Sequence, residues 1–342
     1  MATAVPSGAI EDVFRQWADA QISDDRQRAV FDRMADRSGI AHRYSVLDGA
    51  DGRPDAAAFY GSEPFPSTAR RMALFATEAS ELALRAIAGL GEELHGVTHL
   101  VLACCTGFMA PGLDQVIARR LGLSAEVERV SIGFMGCYAG ITALRTAGHI
   151  VRSEQHARVL VVAVELCTLH LQQTDSVEAL LAMRQFADGA AAAIVCSDGA
   201  GLTLGAGISR VLEDSAELIT WTVGDTGFAM HLAGAVPGRL AAAFTDPALG
   251  KALAPVGTQA FAVHPGGRSI LDAVERGLHL PPEKLAASRG VLAEYGNMSS
   301  ASVLFVLQRM WANRPASGIA LAFGPGLALE GLHFGWSDGD AG

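Results

Sequence analysis

The chain alternates between short continuous apolar runs and longer stretches where apolar residues return every third or fourth position. Continuous apolar runs bounded by turn formers read as buried strands. Residues 98–105, 158–166 and 190–196 are of this kind, and 202–212, 217–223, 259–263 and 318–323 follow the same pattern. The run 127–132 is a shorter strand with β-branched Val127, Val130 and Ile132. Helical spacing marks 10–20, 23–39, 68–90, 112–121, 238–252, 266–277 and 300–312. It is clearest in 141–151, where Ile141, Leu144, Ala147, Ile150 and Val151 fall on one face. Gly39 reads as a helix C-cap, and 45–68, rich in Gly, Pro, Asp and Ser, as a loop. Strands alternating with helices predict an α/β fold of βαβ units, with a mainly parallel sheet covered on both faces.

Turn formers concentrate at Ser197-Asp198-Gly199-Ala200-Gly201. A boundary there divides the chain into halves, 1–200 and 201–342. The halves share a plan: each has a buried strand ending in a glycine turn, 102–107 in the first and 261–267 in the second. A duplication of plan is inferred, without a residue-level repeat.

Composition narrows the function classes. Of the 342 residues, 50% are hydrophobic, enough for an extensive core, and the net charge of -10 carries no basic run suited to nucleic acid. Lys251 and Lys284 are the only lysines, so any anion would be held by arginines. The five cysteines are odd in number and form no C-x-x-C pair, which indicates neither a disulfide framework nor a cysteine zinc site. A reducing cytoplasm is the simplest setting. No basic-then-apolar leader and no apolar run of about 18–20 residues is present, so neither a signal peptide nor a membrane span is expected.

Three residues carry candidate chemistry. Cys137 sits in Gly136-Cys137-Tyr138-Ala139-Gly140, where a strand turns into a helix. A helix N-terminus favours the thiolate, which is the nucleophile. An activated thiol needs a partner for its proton. His264 is the candidate, because it ends an apolar strand beside Pro265-Gly266-Gly267, where open α/β sheets bind ligands. Asn297, in Gly296-Asn297-Met298-Ser299-Ser300, is either a turn residue or an amide donor. An Asn N–H and a His N–H converging on a thioester carbonyl make an oxyanion hole.

These motifs, with Phe323-Gly324-Pro325-Gly326, resemble in order and spacing those of the type III polyketide synthases, the chalcone-synthase-like branch of the thiolase superfamily. The resemblance extends to Thr106-Gly107 with Pro111-Gly112, to Ala187-Asp188-Gly189-Ala190-Ala191, and to Pro281, Glu283 and Lys284. It runs from about residue 10 to about residue 332. It implies a duplicated five-layered αβαβα fold and a homodimer. It also implies an acyltransferase in polyketide biosynthesis that needs no metal, no resident cofactor and no carrier domain. Cys137 would take an acyl starter from its CoA thioester. His264 and Asn297 would bind the malonyl-CoA carbonyl, assist decarboxylation and stabilise the oxyanion of each condensation. The extended chain would then cyclise to a pyrone or a resorcinol-type phenol.

The resemblance also marks the cavity. Phe186 matches the first of two gatekeeping phenylalanines, and Met230 stands at the second, giving a more pliable entrance. Cys105, Cys167 and His170 stand where plant enzymes carry threonines, with His170 expected to face the cavity. Ser299, Gly266, Gly324 and Pro325 are expected to line it too. Ala182 and Ala187 replace glycines and should reduce its volume, and Ala110 stands where a methionine reaches across the plant dimer. Arg33, Arg37 and Arg43 are the candidates for holding CoA phosphates, and aliphatic starters are favoured. The alternatives are a ketoacyl synthase III-like enzyme making one condensation, and a catalytically silent homologue that only binds.

Overall fold

Leu100 and Leu102 of strand β4 (His99–Cys104) face one way, Val101 and Ala103 the other, and all four are buried. A strand apolar on both faces must be covered on both, and that requirement organises the molecule. A computed structural model of the chain describes residues 1–9 and 11–339. Ile10, expected to begin the first helix, and residues 340–342 of the second half lie outside the described residues.

The first half contains β1 (Ala2–Ala4), β2 (Gly8–Ala9), α1 (Glu11–Gln21), α2 (Asp25–Asp36), β3 (Tyr44–Ser45), α3 (Ala56–Tyr60) and α4 (Thr68–Ala88). After β4 come α5 (Leu113–Arg120), β5 (Glu128–Gly133), α6 (Ala139–Ser153), β6 (Val159–Leu166), α7 (Val177–Gln185) and β7 (Asp188–Val195). The second half continues with β8 (Gly201–Val211), β9 (Ile219–Gly224), β10 (Gly227–Leu232), α8 (Val236–Ala243), α9 (Pro247–Leu253) and β11 (Ala260–Val263). It ends with α10 (Arg268–Gly277), α11 (Ala286–Tyr295), α12 (Ser302–Met310), β12 (Gly318–Gly324) and β13 (Ala328–Ser337).

The first sheet has the order β1-β7-β6-β4-β5 and the second β11-β12-β13-β8. Leu100, Leu102, Leu160, Val162 and Val164 pack on the outer helix α4. The opposite faces of both sheets, including Val101, Val161, Ala191, Ala262, Ala320 and Leu332, close on α6 and α12 between them. Phe261, Val263, Ile319 and Leu321 turn outward onto α8 and α10. Helix, sheet, helix, sheet and helix layers give the thiolase-like α/β fold. Small residues at Ala191, Ala262 and Ala320 let the central helices approach both sheets.

The sheets are mixed rather than mainly parallel. β4 runs parallel to β5 and β6, but β7 and β1 are antiparallel. In the second sheet only β11 and β12 are parallel. The short turn Pro325–Leu327 between β12 and β13 leaves no room for a parallel crossover. β13, β10, α7 and α11 lie in stretches where no element was expected. The expected helix 238–252 is two helices, because Asp246 caps a new one at Pro247. The loop 45–68 holds α3, capped by Asp55.

Candidate active site

Cys137 lies in a single 3-10 turn, Gly136–Tyr138, that carries the chain from β5 into α6. The turn is possible because Gly136 takes φ +79°, and because a Cβ there would stand 2.3 Å from Pro325 Cδ. On the other side, a Cβ at Gly324 would meet the Tyr138 ring at 2.7 Å. Gly324 and Pro325, at the end of β12 in the second half, thus pack directly on the cysteine turn of the first.

That junction is a partly open cavity with almost wholly apolar walls and about 50 Å³ of free space. Its lining brings together Cys137, His264 and Asn297. Cys105, Cys167, Phe186, Met230, Ser299, Gly266, Gly324 and Pro325 line it as well.

Asn297 is 1% exposed and fixed from several sides. Its backbone N–H donates to Gln185 O, and its carbonyl accepts from Ala187 N. Its side-chain Oδ1 accepts from Ser299 N at 2.9 Å, and Nδ2 reaches Gly266 O at 3.4 Å. The amide therefore offers a ligand its nitrogen, not its oxygen, with one N–H shared with Gly266 O. Ser299 holds a left-handed φ of +46°, a strained conformation of the kind that collects at functional sites.

His264 is buried at the end of β11, its backbone N–H donating to Leu321 O. Both ring nitrogens are buried without a hydrogen-bond partner among the described residues. Burial alone pushes the imidazole down to about 3, so it is neutral at pH 7. Burial also pushes the Cys137 thiol up to about 12, while hydrogen bonds from Ser299 and Asn297 act the other way. The helix terminus and these hydrogen bonds favour the thiolate, and burial opposes them, beside an imidazole with unused nitrogens. Such a pair can pass a proton from sulfur to nitrogen when a thioester arrives.

His170 is not in the cavity wall. Its Nε2 donates to Thr106 O at 2.7 Å and its Nδ1 accepts from Phe228 N at 3.1 Å. Its ring stacks on Phe228 at 4.2 Å, and burial pushes it down to about 3. Both nitrogens are spent on backbone, so the side chain braces the wall from behind. Ala182 and Ala187 are buried but do not touch the cavity either.

Arg43 is not available to CoA phosphates either. It is fully buried, donates to Phe186 O at 2.6 Å and lies over the Phe14 ring at 4.6 Å. Its role is to hold the segment carrying Phe186. Arg37 is exposed and lines an outer groove of about 530 Å³ with Arg184, Gln185, Arg268 and Ser269. Gln185 and Arg268–Ser269 of the groove adjoin Phe186 and Gly266 of the cavity. Arg33 is exposed one turn earlier on α2.

Two residues went unnoticed in the sequence. Glu165 is fully buried beneath the cavity. It accepts from Cys105 N and from Cys105 Sγ at 3.0 Å, from Thr106 Oγ1 at 2.8 Å and from Ser300 Oγ. Burial raises its carboxyl above the usual range. Its signal was available: it is the one charge in the strand Val159–Leu166. Trp221 stands opposite Met230 across the β9–β10 hairpin and lines the cavity. Its Nε1 donates to Cys105 O at 3.0 Å, and its ring meets His170 and Phe228 edge-on.

Residues 1–199 match the family profile "Chalcone and stilbene synthases, N-terminal domain", and residues 203–335 match its C-terminal counterpart. The chain belongs to the type III polyketide synthases. The synthase is thus an acyltransferase. It is 34% identical over 332 residues to the Mycobacterium tuberculosis protein "Alpha-pyrone synthesis polyketide synthase-like Pks18", covering 91% of this chain and 83% of that protein. It superposes on the C-terminal type III polyketide synthase domain of Steely1, a type I/III hybrid from Dictyostelium. The TM-score is 0.87 and the identity 30%, with 98% of this chain and 97% of that one covered. PKS-I from the brown alga Ectocarpus siliculosus gives a TM-score of 0.84 at 29% identity, with the same coverage of both chains.

Proposed function

We propose that the synthase loads an acyl starter from its CoA thioester onto Cys137 and extends it by decarboxylative condensation with malonyl-CoA. The observation that carries this is the shared cavity of Cys137, His264 and Asn297, with both His264 nitrogens unpartnered. In the loading step, Cys137 Sγ attacks the starter thioester carbonyl and His264 takes the thiol proton. The carbonyl oxygen gathers negative charge, and the Asn297 N–H groups face it. Collapse expels CoA thiolate, which recovers the proton from His264. In extension, the malonyl thioester carbonyl accepts from His264 and Asn297 while carbon dioxide leaves. The resulting enolate carbon attacks the Cys137 thioester carbonyl and expels the Cys137 thiolate, leaving a 3-ketoacyl-CoA. The thiolate then takes the lengthened acyl group back from that thioester, releasing CoA, for another round.

The groove by Arg37 and Arg268 is the proposed seat of the CoA phosphates, with the pantetheine arm entering past Phe186 and Gly266. No helix among the described residues is long and apolar enough to cross a membrane. The homodimer reading is favoured by the outer strand β5, which among the described residues leaves Val130 39% exposed on an unpaired sheet edge, with Phe108, 51% exposed, against Phe134 just past the end of that strand.

The apolar walls favour aliphatic acyl groups, and the small free volume favours few extensions, ending in a pyrone or a resorcinol-type ring. Product analysis after incubation with malonyl-CoA and a panel of acyl-CoA starters tests this. Products containing two or more malonyl-derived units support it. A single condensation that requires a carrier protein would instead indicate a ketoacyl synthase III-like enzyme.

A further inference from the structure

At the far end of β4 from the cavity, about 20 Å away along the strand, a second group of donors converges. His99 begins β4, Glu128 begins β5 directly beside it in register, and Glu154 caps the C-terminus of α6. The donor atoms of the three lie within 4.8 Å of one another. His99 is 5% exposed, whereas both carboxylates reach into solvent.

Thr98 Oγ1 accepts from Arg158 N at 2.9 Å and lies 2.8 Å from His99 Nδ1, a contact that fixes the ring. The other ring nitrogen, Nε2, faces Glu128 Oε2 at 3.8 Å and Glu154 Oε2 at 3.7 Å, too far for a hydrogen bond to either. The C-terminal end of α6 adds partial negative charge at the same point. The nearby Arg158 guanidinium is turned away onto Glu93. One nearly buried nitrogen and two carboxylate oxygens thus point at a common space, and no Lys or Arg side chain among the described residues is paired with either carboxylate.

We propose that His99, Glu128 and Glu154 bind one divalent cation of the zinc class. Metal bonds of about 2.0–2.2 Å need donors roughly 3.3 Å apart. The present spacing closes to that by small rotations of the two exposed glutamates. An imidazole among the donors favours zinc-like ions over calcium or magnesium. The Thr98 bond to Nδ1 is the orienting contact that metal-bound histidines characteristically make. The ion would tie the starts of β4 and β5 to the end of the helix whose other end carries Cys137. It would act on stability by mass action, outside the chemistry.

The test is titration of the metal-free enzyme with zinc and with cobalt, followed by calorimetry, thermal unfolding and the cobalt visible spectrum. The expected result is one saturable site whose occupation raises Tm. Glu128→Gln and Glu154→Gln should each weaken it by at least about tenfold, since losing a ligand costs no less than losing a partner that orients one. Product formation should be unchanged in both variants. Cys137→Ala should bind as the wild type does, and the cobalt spectrum should lack sulfur-to-metal charge transfer. Three results would overturn the proposal. These are the absence of a saturable site, undiminished binding in the Glu128→Gln, Glu154→Gln double variant, or a cobalt spectrum dominated by thiolate ligation.

Discussion

The side-chain oxygen of Asn297 accepts the backbone N–H of Ser299 at 2.9 Å. A turn residue that uses its oxygen locally can offer a ligand only its amide N–H groups, and these lie in the cavity of Cys137 and His264. Asn297→Asp keeps the size and the bond to Ser299 but loses the donors and adds a negative charge. Malonyl-CoA decarboxylation and product formation should fall by about 10²–10³-fold, the range for losing one oxyanion donor. Transfer of the starter to Cys137 should be less affected. Activity near the wild-type level would show that Asn297 is only a turn residue.

Removal of the base gives a pH prediction. With the thiol pushed up to about 12, the thiolate fraction at pH 7 is minute unless the proton has a place to go. His264→Gln should slow alkylation of Cys137 by iodoacetamide at pH 7 by more than about tenfold. Because the thiol pKa lies above the assay range, the rate in the variant should keep rising from pH 6 to pH 9 without a plateau. Equal rates in variant and wild type would remove His264 from the proton transfer.

Trp221 is held in the cavity wall by its bond to Cys105 O and by the His170–Phe228 stack behind it. In a cavity with about 50 Å³ free, that indole limits how far a chain can grow. Trp221→Ala should shift the products towards more malonyl units while Cys137 acylation continues, as read by mass spectrometry of the product mixture. An unchanged product distribution in a folded, active variant would place the limit elsewhere.

Glu165, on β6, accepts hydrogen bonds from Cys105 and Thr106 just beyond β4 and from the Ser300 turn at once. Glu165→Gln turns one acceptor oxygen into a donor and leaves a buried hydroxyl or thiol facing it. Urea unfolding should show a loss of about 3 kcal/mol, the upper range for an unsatisfied buried group. A loss below 0.5 kcal/mol, within the usual scatter for surface changes, would mean the network carries little.

How far the sequence could be read depended on the kind of signal. The buried strands β4, β6, β11 and β12 were legible because each is a short apolar run closed by glycine or polar turns. Cys137, His264 and Asn297 were legible because each sits at a glycine turn ending such a run or opening a helix. β13 was not, because Glu330 and glycines 331 and 335 interrupt its pattern, and its pairing with β8 and β12 is decided only in the assembled sheet. The direction in which His170 and Arg43 point was also hidden. A polar residue at a strand end can face a cavity or brace it, and only the backbone carbonyls of Thr106 and Phe186 decide which. The burial that opposes the thiolate at Cys137 was hidden for a related reason: the helix end is local, but the cavity walls around the thiol come in part from the second half of the chain.

The central claim is that Cys137 carries the growing acyl chain, and intact mass measurement after brief exposure to an acyl-CoA tests it most directly. The wild-type enzyme should gain the mass of one acyl group, Cys137→Ala should gain none and form no product, and added malonyl-CoA should discharge the adduct into product. No adduct with any starter, or product formation by Cys137→Ala, would contradict it.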